Sequence, residues 1–138
     1  MTKVIVIGHG GYGTGVKDNL MMLVGETNGF YFVDFNLADD VNTLEKKIHK
    51  IIKRCCESDI LFCCDLAGGS PFRLVAVLSA QTPQFVTVAG LNTAAYTELV
   101  YNLELSAREL GNLAVEVSKS TVIIFPPESQ AEGCGIGV

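Results

Sequence analysis

The chain has 138 residues, of which 49% are hydrophobic and 18% charged, and its formal net charge is −5 at pH 7. This length and composition predict one folded domain with a substantial buried core. The acidic balance argues against a general nucleic-acid binder, because such proteins need clustered Lys and Arg. No stretch has the length of a membrane span, and the apolar run after Lys3 is too short for a signal peptide. We therefore expect a cytoplasmic protein.

Strand-like and helix-like segments alternate along the chain. Short apolar, β-branched runs predict strands over residues 3–7, 30–35, 60–64 and 85–89. Apolar residues at helical spacing, together with turn and capping residues, predict helices over 14–24 and 39–57, from Pro71, from Thr93 and after Ser106. Four strand–helix units predict a three-layer α/β domain with a doubly wound parallel sheet. We assign this domain to residues 1–125 and expect a flexible tail over 126–138.

A final β-rich run over residues 121–125 follows two consecutive helices and stops at Pro126. A strand that arrives after two helices need not obey the right-handed crossover pattern, so it could be antiparallel. It could also pair with the sheet of another subunit. An apolar strand near the chain end therefore makes a homodimer with an exchanged strand a reasonable hypothesis.

The five cysteines are an odd number, and four of them form two adjacent pairs, Cys55 with Cys56 and Cys63 with Cys64. This spacing is not that of a zinc ligand set, and we predict no metal. Cys63 and Cys64 fall in a predicted buried strand, where a thiol behaves as a small hydrophobe. We interpret all five as reduced thiols.

Glycine-rich turns follow two of the predicted strands. The first strand runs into Gly8-His9-Gly10-Gly11, and the third runs into Asp65, followed by Gly68-Gly69-Ser70-Pro71. In the flavodoxin-like strand order 2-1-3-4, these two strands are neighbours and their helices lie on opposite faces. A histidine and a carboxylate would then meet at the carboxyl edge of the sheet, between two helix starts.

This arrangement predicts phosphoryl transfer through a histidine. Asp65, accepting a hydrogen bond from Nδ1–H, would fix the tautomer and leave the Nε2 lone pair of His9 as the nucleophile. Helix N-termini favour anions, and Ser70 could add a hydroxyl donor, although it could equally be only a helix N-cap. The residues expected to hold the phosphoryl oxygens are Gly10, Gly11, Gly69 and Ser70. No Walker-type motif is present, so ATP is not expected as the direct donor, and no cofactor is predicted.

A dinucleotide-binding regulatory domain is the alternative from another functional class. The run Gly8-His9-Gly10-Gly11-Tyr12-Gly13 fits G-x-G-x-x-G, and Asp34 stands near the position of a ribose-binding carboxylate. Against this hypothesis, the histidine would stand where a pyrophosphate passes, and the second glycine-rich turn would have no role. A hydrolase is disfavoured because Phe72 replaces the last glycine of a nucleophile elbow.

The segments 5–10 (Ile-Val-Ile-Gly-His-Gly) and 65–72 (Asp-Leu-Ala-Gly-Gly-Ser-Pro-Phe) also carry a family resemblance. Together with 33–35 and 89–92, they resemble the IIA component of the mannose-family sugar phosphotransferase system, and within it the N-acetylgalactosamine-like branch. The similarity spans about residues 3–125. Leu66 and Ala67 depart from it, since mannose-specific members carry threonine and tryptophan there, and this affects the expected docking of partners.

The resemblance implies that the phosphocarrier HPr phosphorylates His9, that Asp65 is the partner of this histidine, and that Ser70 lies close by. The phosphoryl group would pass to a IIB domain on a separate polypeptide, and the membrane IIC and IID components would be served indirectly. The resemblance also implies a homodimer with exchanged terminal strands. The phosphotransfer subunit of dihydroxyacetone kinase is a further alternative, but the Gly-Gly-Ser-Pro-Phe run favours sugar transport.

Overall fold

The computed structural model describes residues 1–128 and shows helices on both faces of a central sheet. Its elements, in chain order, are β1 (Lys3–His9), α1 (Tyr12–Leu23), β2 (Phe30–Phe35), α2 (Val41–Arg54), β3 (Ile60–Cys64), α3 (Ser70–Gln81), β4 (Phe85–Ala89), α4 (Thr93–Val100) and α5 (Ala107–Thr121). The three-layer α/β prediction is confirmed. None of the helices in this part of the chain is long and apolar enough to cross a membrane.

The sheet has the order β2-β1-β3-β4, and its three strand pairs are all parallel. The predicted flavodoxin-like order is therefore confirmed. In the register of β1, Ile7 lies beside Cys64 of β3 and His9 lies beside Phe35 of β2. Because all four strands run the same way, their carboxyl ends meet at one edge of the sheet, which we call the carboxyl edge.

The strands form because each presents apolar side chains to helices on both sides of the sheet. Val4 and Val6 of β1 face the core under α1, α4 and α5, whereas Ile5 and Ile7 face the core under α2 and α3. This alternation follows from the two-residue period of a strand. Both faces of β1 and β3 are buried, as expected for central parallel strands.

The cysteines behave as the sequence predicts within the part of the chain that the structure describes. Cys55, Cys56, Cys63 and Cys64 are free thiols, and both members of the β3 pair are fully buried. Burial raises the pKa of both β3 thiols, to about 12 for Cys64. These two groups are therefore inert apolar side chains at neutral pH. The fifth cysteine, Cys134, lies outside the described residues.

Local capping sets the helix starts. The Asp40 carboxylate accepts a hydrogen bond from Thr43 N at 2.8 Å, so α2 begins at Val41. The predicted capping box is also present, because Ser106 and Glu109 each bond the other's backbone N–H. Each cap of this kind stabilises a helix by about 1 kcal/mol.

The expected strand over residues 121–125 is not formed in the single chain. Thr121 is the last residue of α5, and residues 122–124 have no regular secondary structure. The side chains of Val122, Ile123, Ile124 and Phe125 are 73–82% exposed. A strand needs a partner edge, so the exchanged strand stays a prediction. The predicted flexible tail lies mostly outside the described residues, which end at 128.

Candidate functional site

His9 is the last residue of β1 and lies at the carboxyl edge of the sheet, between β2 and β3. Its side chain is 46% exposed, and its ring centroid lies 5.8 Å from that of Phe35. The strand ladder continues to this point, since Asp65 N donates to Ile7 O at 3.2 Å. A rigid strand therefore brings the imidazole to the protein surface.

His9 and Asp65 are in direct contact, as the strand order predicts. The Oδ2 atom of Asp65 accepts hydrogen bonds from both His9 N, at 2.9 Å, and His9 Nδ1, at 2.7 Å. The other oxygen, Oδ1, accepts from Leu66 N at 2.9 Å. Because a carboxylate can only accept, Nδ1 carries the proton and the Nε2 lone pair is left for chemistry.

The Asp65 carboxyl group is held in its ionised form. Its side chain is only 13% exposed, and burial by itself raises its pKa. Hydrogen bonds from the backbone N–H and the imidazole of His9 outweigh burial, so the net pKa of Asp65 lies below its ordinary value. A negative charge is therefore available next to the imidazole when that ring gains positive charge.

Gly69 lies directly against the reactive edge of the imidazole. A Cβ atom at this position would lie 2.7 Å from His9 Cε1 and 3.1 Å from Nε2. The preceding Gly68 has φ +109°, a conformation that side chains rarely allow. The two glycines thus let the start of α3 approach the histidine closely.

The N-terminus of α3 has no side-chain cap. Its N-cap residue is Gly69, and Ser70 is the first helical residue, so Ser70 is not the N-cap that its sequence position also suggests. Pro71 in the first turn has no N–H to donate. The uncapped helix start presents backbone donors and the positive end of the helix dipole beside His9.

The α1 side of the site differs from the expectation. Gly10 has φ +58°, and its N–H donates to Phe35 O at 2.8 Å, so this donor is engaged within the fold. Gly11 is the N-cap of α1. Asp34 accepts hydrogen bonds from Thr14 N, at 3.0 Å, and Thr14 Oγ1, at 2.5 Å. A carboxylate thus occupies part of the α1 N-terminus.

The Asp34 contacts also explain the G-x-G-x-x-G match. The carboxylate that would bind ribose in the dinucleotide hypothesis instead caps α1 through Thr14. A Cβ atom at Gly13 would lie 3.1 Å from both N and O of Val33. The last glycine of the motif is therefore needed for close packing of α1 on β2, whether or not a nucleotide binds.

A pair of tyrosines behind the site is not evident from the sequence. The ring of Tyr12 packs against Gly8, and its hydroxyl lies 2.6 Å from the hydroxyl of Tyr96 on α4. Because 84 residues separate the two tyrosines, no local pattern could have signalled this contact.

Exposed apolar side chains lie on the loops that follow β2 and β3 at the carboxyl edge. Leu37, on the loop after β2, is fully exposed, and Leu66, directly after Asp65, is 50% exposed. A groove of about 320 Å³ between α2 and α3 starts at Ser70, and Val41 and Val77 line it. Exposed apolar surface next to a reactive group is typical of a protein–protein contact. Within residues 1–128, no cluster of His, Cys, Asp and Glu could hold a metal ion.

Comparison with known proteins identifies the family. A sequence model of the family described as "PTS system fructose IIA component" (EIIA-man) matches residues 3–113. The chain belongs to this IIA family of the sugar phosphotransferase system (PTS). It is 31% identical over 101 residues to the PTS system fructose-specific EIIA component of Bacillus subtilis strain 168, covering 72% of this chain and 69% of that protein.

Two further relatives place the chain within the mannose group of this family. It is 30% identical over 126 residues to the PTS system mannose-specific EIIAB component of Escherichia coli K12, covering 88% of this chain but only 39% of that longer protein. The solved mannose/sorbose-specific IIA subunit from Enterococcus faecalis superposes with a TM-score of 0.84 at 27% identity, covering 92% of this chain and 97% of that one.

The chain is thus a PTS IIA component of the mannose family, which serves phosphoryl transfer for sugar uptake. The resemblance seen in the two glycine-rich turns is confirmed. The comparisons support neither the dinucleotide-binding domain nor the dihydroxyacetone kinase subunit.

Proposed function

We propose that His9 of this IIA component is phosphorylated at Nε2 by HPr and passes the phosphoryl group to a IIB domain. The observation that carries the proposal is the double hydrogen bond from His9 N and Nδ1 to the same Asp65 oxygen, which directs Nε2 away from this carboxylate. This geometry supports a histidine nucleophile in a fixed tautomer.

In the first transfer, the Nε2 lone pair attacks the phosphorus of the phosphorylated donor. A P–N bond forms at His9, while the bond between phosphorus and the donor breaks and its electrons stay with the donor. The Nδ1 proton remains on the ring, so the imidazole becomes cationic. Ionised Asp65 stabilises this charge at 2.7 Å, and the second transfer reverses the charge change when the IIB domain accepts the group.

The phosphoryl oxygens are received at the start of α3 in this proposal. Gly69 lies against the Nε2 edge, and α3 has no side-chain cap to compete for its first N–H groups. Ser70 adds its N–H and hydroxyl. On the α1 side, Gly11 is the remaining candidate for a donor to the phosphoryl oxygens. The Gly10 N–H already donates to Phe35 O, and the Thr14 N–H already donates to the Asp34 carboxylate. Phosphoryl transfer depends mainly on such positioning and charge stabilisation.

The partners are proposed from the site surface and from the relatives. The E. coli relative is an EIIAB component, whose name joins an A and a B component in one protein, and this supports a IIB domain as the acceptor here. Leu37, Leu66 and the α2–α3 groove supply apolar contact area around His9 for both HPr and IIB. The membrane IIC and IID components would take part only indirectly, with this component in the cytoplasm.

Phosphorylation by the purified system tests the proposal. The chain is incubated with phosphoenolpyruvate, enzyme I and HPr, and incorporated phosphate is quantified with its stability in acid and base. We expect one acid-labile, base-stable phosphate per chain, which His9→Gln abolishes. The matched control is His49→Gln, at the chain's second histidine, which is exposed on α2. His49 lines the α2–α3 groove and could affect the rate of docking, but the final stoichiometry should be unchanged.

A second variant tests the role of Asp65. Asp65→Asn keeps an acceptor oxygen but removes the charge, so we expect His9 to be phosphorylated more slowly by a factor of about 100, as typical for loss of a positioned charged partner. Label that persists in His9→Gln would contradict the proposal, as would full-rate labelling of Asp65→Asn.

A further inference from the structure

The segment that carries His9 from the end of β1 into α1 is rich in glycine. Three of the four residues from Gly8 to Gly11 are glycines, which lose more conformational freedom on folding than any other residue. On the β3 side, the Asp65 carboxylate accepts hydrogen bonds from the backbone N–H and the imidazole of His9. On the β2 side, the Gly10 N–H donates to Phe35 O. The remaining side of this segment faces α1.

Tyr12 packs against this segment from the α1 side. A Cβ atom at Gly8 would lie only 2.5–2.6 Å from Cδ2, Cβ and Cγ of Tyr12, so the aromatic ring lies against the backbone immediately before His9. Gly8 itself is buried. The position of the ring therefore limits where the peptide between Gly8 and His9 can move.

The far end of the Tyr12 ring is anchored in turn. Its hydroxyl lies 2.6 Å from the hydroxyl of Tyr96, which is only 2% exposed and packs in the core under α1, α4 and α5. Burial raises the pKa of both phenols, so both are neutral and one can donate to the other. Asn92 fixes the start of α4 by accepting from Ala95 N at 3.1 Å.

We propose that Tyr12, held by its hydroxyl bond to Tyr96, is a positioning residue for His9. This inference rests on the proposed phosphorylation of His9. The Tyr12 ring limits the movement of the Gly8 backbone, and this backbone sets the direction of the His9 side chain. The imidazole is thereby held at its observed distances from Asp65 and Gly69. Tyr12 acts through the backbone and contributes to the rate of transfer, not to binding of the donor.

The test uses the full chain with Tyr12→Phe, Tyr12→Leu and the double variant Tyr12→Phe/Tyr96→Phe. Tyr12→Phe removes only the hydroxyl and leaves that of Tyr96 buried without its partner, whereas the double variant removes both and restores stability. We expect kcat for phosphorylation by HPr to fall about tenfold in Tyr12→Phe and in the double variant, with KM for HPr unchanged, and further in Tyr12→Leu. Tyr101→Phe, at the exposed end of α4, is the matched control and should keep the wild-type rate.

A spectroscopic measurement separates positioning from stability. In ¹H–¹⁵N spectra of the unphosphorylated protein, the His9 Nδ1–H signal should exchange faster with water in Tyr12→Phe and in the double variant, because the bond to Asp65 is less well fixed. Recovery of both the rate and this signal in the double variant would show a purely structural role and overturn the proposal. Unchanged signals and rates in all variants would do the same. If the wild-type chain takes no phosphate from HPr, the proposed function fails, and the imidazole signal still decides whether Tyr12 positions His9.

Discussion

Gly69 and His9 approach so closely that the space between them admits no side chain. A Cβ atom at Gly69 would overlap Cε1 of the imidazole at 2.7 Å, a separation that real Cβ contacts do not show. The imidazole is fixed on its other side by Asp65 at 2.7 Å, so it cannot turn away without losing that hydrogen bond. Position 69 must therefore be glycine for the imidazole to keep this orientation. The absence of a side chain there also leaves the Nε2 edge open to a phosphoryl group.

The first prediction is that Gly69→Ala impairs phosphorylation without unfolding the chain. The methyl group would displace either the imidazole or the start of α3, and a shift of this size at a reacting atom costs up to about 100-fold in rate. Labelling kinetics with HPr provide the measurement. Gly15→Ala is the matched control, since a Cβ there has open space within an exposed turn of α1, and it should keep the wild-type rate and gain stability. A wild-type rate in Gly69→Ala would show that the ring does not need this gap.

The second prediction concerns stability in acid. The pKa of Asp65 is lower in the folded chain than its ordinary value of about 3.9, because hydrogen bonds from His9 outweigh the effect of burial. The unfolded chain therefore binds this proton more readily. The stabilising contribution of Asp65 is complete above its ordinary pKa and is lost as pH falls through the lower pKa of the folded state.

Urea unfolding of the wild type and Asp65→Asn, across a pH range from neutral to about 3, measures this contribution. Other carboxyl groups with lowered pKa values, such as Asp39 and Asp40, are common to both proteins and cancel in the difference. We expect the difference in unfolding free energy to be fully present above about pH 4 and to shrink below it. A difference that stays constant over the whole range would contradict this assignment of the charge.

The third prediction separates the two carboxylates at the strand ends. Asp34 caps α1 through the N–H and hydroxyl of Thr14, so Asp34→Ala should destabilise the chain by about 1 kcal/mol. Asp34→Ala should leave the final level of phosphorylation unchanged. Because the Asp34 carboxylate is engaged by Thr14 and not free for a ribose, NAD should not raise the melting temperature of the wild type. Thermal unfolding and labelling of the same samples provide both measurements. Loss of labelling at unchanged stability would instead give Asp34 a direct role in the transfer.

Much of this site could be predicted from the sequence, because it depends on short-range patterns. Apolar runs that end at Gly8 and at Asp65 predicted the ends of β1 and β3, and the order of strand–helix units made these strands neighbours, which brings His9 to Asp65. Local pairs such as Ser106 with Glu109 followed from helix-capping chemistry in the same way.

The contacts that could not be predicted join residues far apart in the chain. The Gly10 N–H bonds to Phe35 O, and Tyr12 meets Tyr96, although no spacing or motif links the members of either pair. The expected start of the β-rich run over residues 121–125 was wrong for a related reason, because Thr121 belongs to α5. Side-chain bonds from Thr121 Oγ1 to Val117 O and from Asn92 Nδ2 to Thr121 Oγ1 hold this residue in the last turn of α5. At Thr121, these contacts override the β-propensity of the residue.

The fourth prediction concerns the apolar surface beside the site. Leu66 is 50% exposed and directly follows Asp65, so we expect a partner that reaches Nε2 to contact it. Leu66→Gln removes apolar contact area without adding a charge that would repel phosphate. We expect KM for HPr to rise about tenfold, with kcat close to that of the wild type, as for loss of one buried apolar contact.

Met22→Gln is the matched control for Leu66→Gln. Met22 is 91% exposed near the C-terminal end of α1, which points away from the carboxyl edge, and its loss should leave KM unchanged. Steady-state labelling at several HPr concentrations distinguishes the two variants. Equal KM values in both variants would place the docking surface elsewhere.

The fifth prediction is that residues after α5 hold two chains together. Val122, Ile123, Ile124 and Phe125 are consecutive, apolar and 73–82% exposed, which is costly for a segment in water. β4 lies at the edge of the sheet, and its backbone could pair with this segment from a second chain. We expect the full chain to sediment as a dimer and a chain that ends at Thr121 to sediment as a monomer. The shortened chain keeps all four strands and five helices of the described structure, so its circular dichroism should match that of the full chain. If both chains sediment in the same oligomeric state, this segment does not join subunits.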